Sequence, residues 1–299
     1  MSFSQPQRAS RSRTTRARHA LQLAALRAQF AVLDRTRPDT AAAKAMSIWT
    51  TLPGNAGRRK DFRPGPGEVF RVTTARGGET VAESWGEGPV VYLVHGWGGW
   101  RGQLGAFVAP LLERGRRVVA FDAPSHGEAG SGVLGPRKGT IVEMNEAFAA
   151  VAEHVGPAEG VVGHSLGCHV AAGMLQRGVS AERLALIAPS HDFGEITYDF
   201  ARLLGFGEPT RSRMEAIMED FLAEPIANFD LGPLGADGAM PPTLVVHDRL
   251  DRETPFEVGE RLAATWPSAR FLATEGLGHQ RILADDGVVA SVVEHVTSR

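Results

Sequence analysis

The segment GHSLG at 163–167 has the spacing of a serine nucleophile on a sharp turn. It follows the strand-like run GVV and precedes LGCHVAAGMLQ, which is compatible with a helix. In that strand–turn–helix context, G-x-S-x-G holds a serine in strained backbone geometry, with its hydroxyl at a helix N-terminus. Ser165 is therefore the candidate nucleophile. The alternative is a serine that caps a helix after a glycine-rich turn.

A serine hydroxyl needs a base, and the base needs an orienting carboxylate. His279 follows the last predicted strand in a short loop, GLGHQ, from which a base could reach the edge of a sheet. The segment HDRLDRETP after the preceding strand offers two carboxylates. Asp251 lies in the turn and is the predicted acid. Asp248 ends the strand and is expected to organise the turn, and it is the alternative acid. The order Ser, Asp, His is one that an α/β sheet with such a serine uses.

The segment HGWGGW at 95–100 supplies the third part of this chemistry. Acyl transfer builds negative charge on the substrate carbonyl oxygen, so N–H donors must already point at that position. A glycine-rich turn after a buried strand can present one donor, and the residue after the nucleophile presents another. We predict that the N–H groups of Trp97 and Leu166 form this oxyanion hole. The alternative for HGWGGW is an ordinary tight turn between a strand and a helix.

Short apolar or β-branched runs alternate with helical patterns from about residue 67 onward. The run at 89–95 is apolar almost throughout, as in a strand buried on both faces of a parallel sheet. The alternation predicts an α/β fold: a mostly parallel sheet of about eight strands with flanking helices. The predicted strands are 67–73, 79–85, 89–95, 116–122, 160–165, 183–189, 242–248 and 269–275, and the clearest helices are 140–155 and the valine-rich C-terminal segment.

The stretch 190–240 interrupts the alternation and divides the predicted core into 67–189 and 241–299. An insertion after the carboxyl end of a strand lies where open α/β sheets bind ligands, so we predict a small helical cap. It carries ten acidic residues against three arginines. A solvated outer face would explain this excess of acidic residues. The alternative is that the acidic residues select cationic or amine substrates.

The N-terminal region is basic, with twelve Lys or Arg against two Asp in residues 1–60. Residues 1–20 have little to bury and are predicted to be a disordered arm. Residues 21–66 are predicted to hold an amphipathic helix and a linker, because Leu23, Leu26, Phe30 and Leu33 recur at helical spacing. This helix either docks on the main domain or contacts a membrane surface or a partner, and the basic arm leaves weak nucleic-acid contact open.

Composition excludes several classes of protein. Net charge is −2, so no specific nucleic-acid binding is expected of the whole chain. The single cysteine, Cys168, excludes an internal disulfide framework and a multi-thiolate metal site, and it favours a cytoplasmic location. No apolar run is long enough to span a membrane. The sequence lacks a G-x-x-x-x-G-K-[ST] loop and an H-E-x-x-H motif, so no cofactor and no metal are expected.

Five segments taken together resemble the α/β-hydrolase superfamily over about residues 67 to 299: LVHGWGG, FDAPSHG, VVGHSLG, TLVVHDRLDRETP and GLGHQ. The resemblance is to a serine-nucleophile branch of bacterial type. It implies Ser165 as nucleophile, His279 as base, and Trp97 with Leu166 as oxyanion-hole donors. The superfamily's acid usually stands in G-x-x-D-x-x-x-P, which implies Asp251, although this chain has Asp248 where that pattern has glycine.

The function predicted from these residues is a serine hydrolase that cleaves a carboxylic ester or thioester of a small-molecule acyl substrate, with carboxylesterase as the main expectation. An aminopeptidase or amidase of the same fold is the alternative among enzymes. A non-catalytic module that binds a ligand or recruits a partner is the alternative from another class, because a fold can keep its pocket without its activity.

Overall fold

The computed structural model describes residues 8–54 and 60–298, and the chain divides into two compact units. We call residues 50–192 and 227–298 the sheet unit, and residues 8–49 and 193–226 the helical unit. Both the N-terminal region and the insertion predicted over 190–240 therefore contribute residues to each unit.

The sheet unit contains eight strands within its described residues, and they form one sheet. The strands are β1 (Glu68–Thr73), β2 (Glu79–Trp85), β3 (Val90–Val94), β4 (Arg117–Asp122), β5 (Ala158–His164), β6 (Ala181–Ile187), β7 (Thr243–Asp248) and β8 (Ala269–Thr274). The helices are α3 (Val108–Glu113), α4 (Ile141–Val155), α5 (Leu166–Gln176), α8 (Leu231–Leu234), α9 (Phe256–Thr265), α10 (Gly278–Arg281) and α11 (Asp286–Thr297), with labels running along the whole chain.

The spatial order of the strands is β1-β2-β4-β3-β5-β6-β7-β8. Strand β2 pairs antiparallel with β1 and with β4, and all other neighbours are parallel. The predicted α/β fold with a mostly parallel sheet of about eight strands is therefore confirmed.

Burial explains why the central strands read as continuous apolar runs. Every residue of β3 is buried, as is every residue of β7, because both faces of these strands are covered. Helix α4 begins where the Thr140 side chain accepts a hydrogen bond from the backbone N–H of Glu143 (3.2 Å). It ends at Gly156, whose φ of 112° is in the range that favours glycine.

The parallel strands place the candidate residues at one edge of the sheet. Strands β3, β5, β7 and β8 all point the same way, so the loops after them emerge on the same side. These connections carry HGWGGW, Ser165 and Asp251, and the one after β8 leads into the short helix α10, which contains His279. The alternation of the sequence thus positions residues that are far apart along the chain.

The helical unit combines the N-terminal region with part of the insertion. Phe30 is fully buried, and its ring lies 5.1 Å from that of Phe206. Asp34 accepts a hydrogen bond from the backbone N–H of Thr210 (3.2 Å), which places a carboxylate at the N-terminus of a second helix. The helices of this unit are α1 (Arg8–Thr36), α2 (Pro38–Trp49), α6 (Phe193–Leu204) and α7 (Glu208–Leu222).

Helix α1 extends into the predicted disordered arm. Residues 8–20 are helical, and residues 1–7 lie outside the described residues. The physical reason is that 8–36 contains neither glycine nor proline and is rich in alanine and arginine, so the helix can propagate from its packed half. Pro38 then begins α2, at a position where its missing N–H costs no hydrogen bond.

Several acidic residues of the insertion have partners of their own. Arg211 pairs with Glu208 (2.7 Å) and with Glu215 (2.6 Å), and Glu219 accepts a hydrogen bond from the backbone of Ile226. In the sheet unit, Asp192 accepts one from Leu231. Selection of cationic substrates by this charge stays a prediction. Contact of α1 with a membrane or a partner also stays a prediction.

No helix within the described ranges is both long enough and apolar enough to cross a membrane.

Replacing Phe30 tests the packing of the helical unit. We expect Phe30→Ala to lower the free energy of unfolding of this unit by about 3 kcal/mol, because the ring is fully buried. Val32→Ala is the matched control on the same helix, since Val32 is 62% exposed, and its effect should stay within about 0.5 kcal/mol. Hydrogen exchange of the α7 amides measures both. Equal protection in the two variants would contradict this packing.

Candidate active site

Ser165 lies between β5 and α5 in a strained backbone conformation, with φ 56° and ψ −125°. Positive φ costs a non-glycine residue energy, so the surroundings must impose it. The flanking glycines allow the close approach that does so. A Cβ atom on Gly163 would lie 2.6 Å from the carbonyl oxygen of Gly167, and one on Gly167 would lie 2.4 Å from that of Val94. The local geometry is that of a nucleophile elbow.

The glycine-rich loop after β3 passes directly beside Ser165. A Cβ atom on Gly96 would lie 2.9 Å from the Ser165 Cβ atom and 3.4 Å from its Oγ atom. Trp97 is the next residue, and its ring makes an edge contact with His126 at 5.5 Å. Leu166 is the first residue of α5, where backbone N–H groups have no acceptor inside the helix. The structure therefore brings the two segments predicted to carry the oxyanion hole next to the serine.

His279 and Asp251 form a direct hydrogen bond. The Nδ1 atom of His279 lies 2.7 Å from Oδ2 of Asp251, and both side chains are buried. The Asp251 Oδ1 atom accepts hydrogen bonds from the backbone N–H groups of Glu253 (2.8 Å) and Thr254 (3.0 Å). Burial alone raises the pKa of Asp251, but the nearby His247 ring, the hydrogen bond from His279 and the backbone N–H of Thr254 outweigh it and hold that pKa far below its usual range. The carboxylate is therefore charged.

His164 contacts His279 and directly precedes Ser165 in the sequence, so it links these two residues. Its Nε2 atom lies 3.0 Å from the carbonyl oxygen of His279, and the two rings are 4.7 Å apart. Burial lowers the pKa of His164 to about 3, so its ring is neutral and Nε2 can donate to that carbonyl. This bond fixes the backbone of the base against the elbow.

Asp248 has a different set of partners. It accepts hydrogen bonds from the backbone N–H of Leu250 (3.0 Å), the hydroxyl of Thr274 (2.9 Å) and the backbone N–H of Leu277 (2.9 Å). Burial raises the pKa of Asp248, and these donors, with the backbone of Gly278, bring it below its usual value. Asp248 thus ties the end of β7 to β8 and to the loop that carries His279.

A buried ionic cluster anchors the loop after β3, and sequence reasoning missed it. The Arg101 guanidinium pairs with Asp122 and, at 2.7 Å, with Glu83, and all three side chains are at most 2% exposed. Its third contact is Glu128 at 2.6 Å, and its backbone N–H donates to Asp122 at 2.7 Å. The signal in the sequence was Glu83, a charged residue inside an otherwise buried strand.

No group of three or more His, Cys, Asp or Glu side chains in the described part of the chain is arranged to hold a metal ion.

Removing Arg101 tests the role of this cluster in stability. Arg101→Met should lower the free energy of unfolding by about 3–5 kcal/mol, because it leaves the buried Asp122 carboxylate without its cation and leaves Glu83 with Arg63 alone. Arg71→Met is the matched control, since the Arg71–Glu79 pair is about half exposed, and it should cost less than about 1 kcal/mol. Chemical denaturation measures both. Similar losses in the two variants would show that the buried cluster has no special role.

Known proteins match this chain along most of the sheet unit. A family model described as "Alpha/beta hydrolase family" matches residues 91–292. A curated protein, the dihydrolipoyllysine-residue acetyltransferase component of an acetoin cleaving system from Pseudomonas putida, is 35% identical over 106 residues. That match covers 34% of this chain and only 27% of the relative.

Solved structures share the fold at low sequence identity. An esterase from Exiguobacterium antarcticum has a TM-score of 0.59 at 18% identity, covering 77% of this chain and 100% of its own. A thermophilic esterase from Thermogutta terrifontis has a TM-score of 0.57 at 22% identity, covering 76% and 97%. At such identities the likeness shows the fold alone. Together with the family match over 91–292, it leads to one conclusion: the chain belongs to the alpha/beta hydrolase family.

Proposed function

We propose that this protein is a serine hydrolase that cleaves a carboxylic ester or thioester through a covalent acyl-enzyme. Two observations carry the proposal together: Ser165 is strained, and His279, which contacts the neighbouring residue His164, forms a buried hydrogen bond of 2.7 Å with Asp251. A buried ion and a strained serine are both costly for a fold, and such features cluster at functional sites.

In the proposed reaction each residue has one task. A proton on Nδ1 of His279, donated to Asp251, leaves Nε2 as the acceptor for the Ser165 proton. The Oγ atom then attacks the substrate carbonyl carbon, and the N–H groups of Trp97 and Leu166 donate hydrogen bonds to the developing oxyanion. His279 passes the proton to the leaving group as the bond to the carbonyl carbon breaks. Water activated by the same histidine then releases the acid and restores the serine.

The comparisons guide the choice of substrates to assay. Two neighbours in fold are named esterases, and the curated relative is named an acetyltransferase. Acetyl and short-chain esters and thioesters are therefore the first panel. Aminoacyl amides form the second panel, because hydrolysis of these alone would identify the amidase alternative.

A fluorophosphonate probe tests the nucleophile. The probe should label the full chain at Ser165, located by mass spectrometry, and Ser165→Ala should abolish labelling and lower the rate by as much as about 10⁶. Ser125→Ala is the matched control, because Ser125 is also a serine at positive φ (66°), and it should keep the label. A folded protein that neither reacts with the probe nor hydrolyses either panel would exclude the enzyme and favour a binding module.

Variants of the two aspartates show which one is the catalytic acid and which one organises the turn. Asp251→Asn should lower kcat by about 10⁴, because the amide favours the wrong tautomer of His279. Asp248→Asn should lower kcat by no more than about tenfold, because the hydrogen bonds of Asp248 hold the turn and the loop before His279. Steady-state kinetics on one ester compares them. The reverse order of the two losses would assign the acid to Asp248.

A further inference from the structure

His247 is a buried histidine that the proposed reaction does not use. It lies in β7, is fully buried, and has its Nε2 atom 3.2 Å from the Thr254 carbonyl oxygen and 3.3 Å from the Thr254 hydroxyl. The same atom lies 3.6 Å from Oδ2 of Asp251. The ring occupies space left by Gly259 of α9, where a Cβ atom would lie 2.5 Å from Nδ1.

The surroundings decide which nitrogen of His247 carries the proton. Three oxygen atoms face Nε2, whereas Nδ1 is buried and has no hydrogen-bond partner among the described residues. A proton on Nδ1 would be a buried donor without an acceptor, which is costly. The proton therefore lies on Nε2, and His247 donates toward Thr254 and Asp251.

Thr254 connects the two histidines with the acid. Its hydroxyl oxygen lies 3.2 Å from Oδ2 of Asp251, 3.3 Å from Nε2 of His247 and 3.3 Å from Nδ1 of His279. A hydroxyl has one proton to donate and lone pairs that accept. The arrangement in which each of these contacts pairs a donor with an acceptor has His247 donating to the Thr254 oxygen, and Thr254 donating to the Asp251 carboxylate.

We propose that His247 and Thr254 are positioning residues, which hold Oδ2 of Asp251 on the line to Nδ1 of His279. The inference rests on the proposed function, since it assigns these residues a role in the same site. Backbone donors contact only Oδ1, so without the Thr254 hydroxyl the His279 ring is the one hydrogen-bond donor to Oδ2 among the described residues, and this oxygen is held less firmly. The base would then spend less time in the orientation that accepts the serine proton.

Paired variants at Thr254 test the proposal by kinetics. Thr254→Val keeps the shape and removes the hydroxyl, and it should lower kcat for an ester about tenfold with KM within about twofold, because the loss affects the transition state. Thr254→Ser restores a hydroxyl and should recover most of the rate. At His247, the other end of this series of hydrogen bonds, His247→Gln keeps a donor near the position of Nε2. Its kcat should therefore be higher than that of His247→Leu. Equal rates in all four variants and the parent would overturn the proposal, as would equal losses within each pair.

An NMR measurement separates this proposal from the proposed function. The downfield proton resonance of the His279 Nδ1–H reports its hydrogen bond to Asp251 without any substrate. Thr254→Val and His247→Leu should shift or broaden it, whereas Thr254→Ser and His247→Gln should leave it near its parental position. If this pattern appears in a protein that hydrolyses nothing, the positioning role stands and the proposed function fails. If the parent hydrolyses esters and the resonance is the same in every variant, the positioning role is wrong.

Discussion

The hydrogen bond between His279 and Asp251 depends on keeping a charged carboxylate in a buried place. Burying an isolated carboxylate costs desolvation free energy, and hydrogen-bond donors around the charge offset that cost. Asp251 has two backbone donors on one oxygen and, on the other, the His279 ring and the Thr254 hydroxyl. The loop after β7 must fold tightly to bring these donors together. Asp248 contributes by tying that loop to the one after β8.

A second constraint acts on the serine side. Ser165 adopts a left-handed backbone conformation that only close packing can enforce, and the flanking glycines leave room for that packing. The loop after β3 lies against the serine, and Arg101 at its end is held by buried ion pairs with Glu83 and Asp122. A strained serine thus lies on one side of the candidate site and a buried carboxylate on the other. Under the proposed function, both features would hold the reacting groups in place before substrate arrives.

Sequence reasoning succeeded where local patterns carry the information. Buried parallel strands have apolar runs, and GHSLG lies between a strand and a helix, so the eight strands and the fold could be predicted. It failed for contacts that depend on distant side chains. Nothing local to Phe30 indicates that its ring meets Phe206, and nothing local to Arg101 indicates that three carboxylates surround it. The helix over 8–20 was missed because composition suggested disorder, whereas propagation from a packed segment favours helix.

In the proposed reaction, Ser165 carries the acyl group during turnover. Rapid-quench mass spectrometry with an acetyl ester can detect this group, because a reaction stopped before steady state traps the covalent intermediate. We expect a mass increase of one acetyl group, confined to the peptide that contains Ser165, with release of the alcohol before release of the acid. Turnover of the ester with no acyl group on that peptide would exclude Ser165 as the nucleophile.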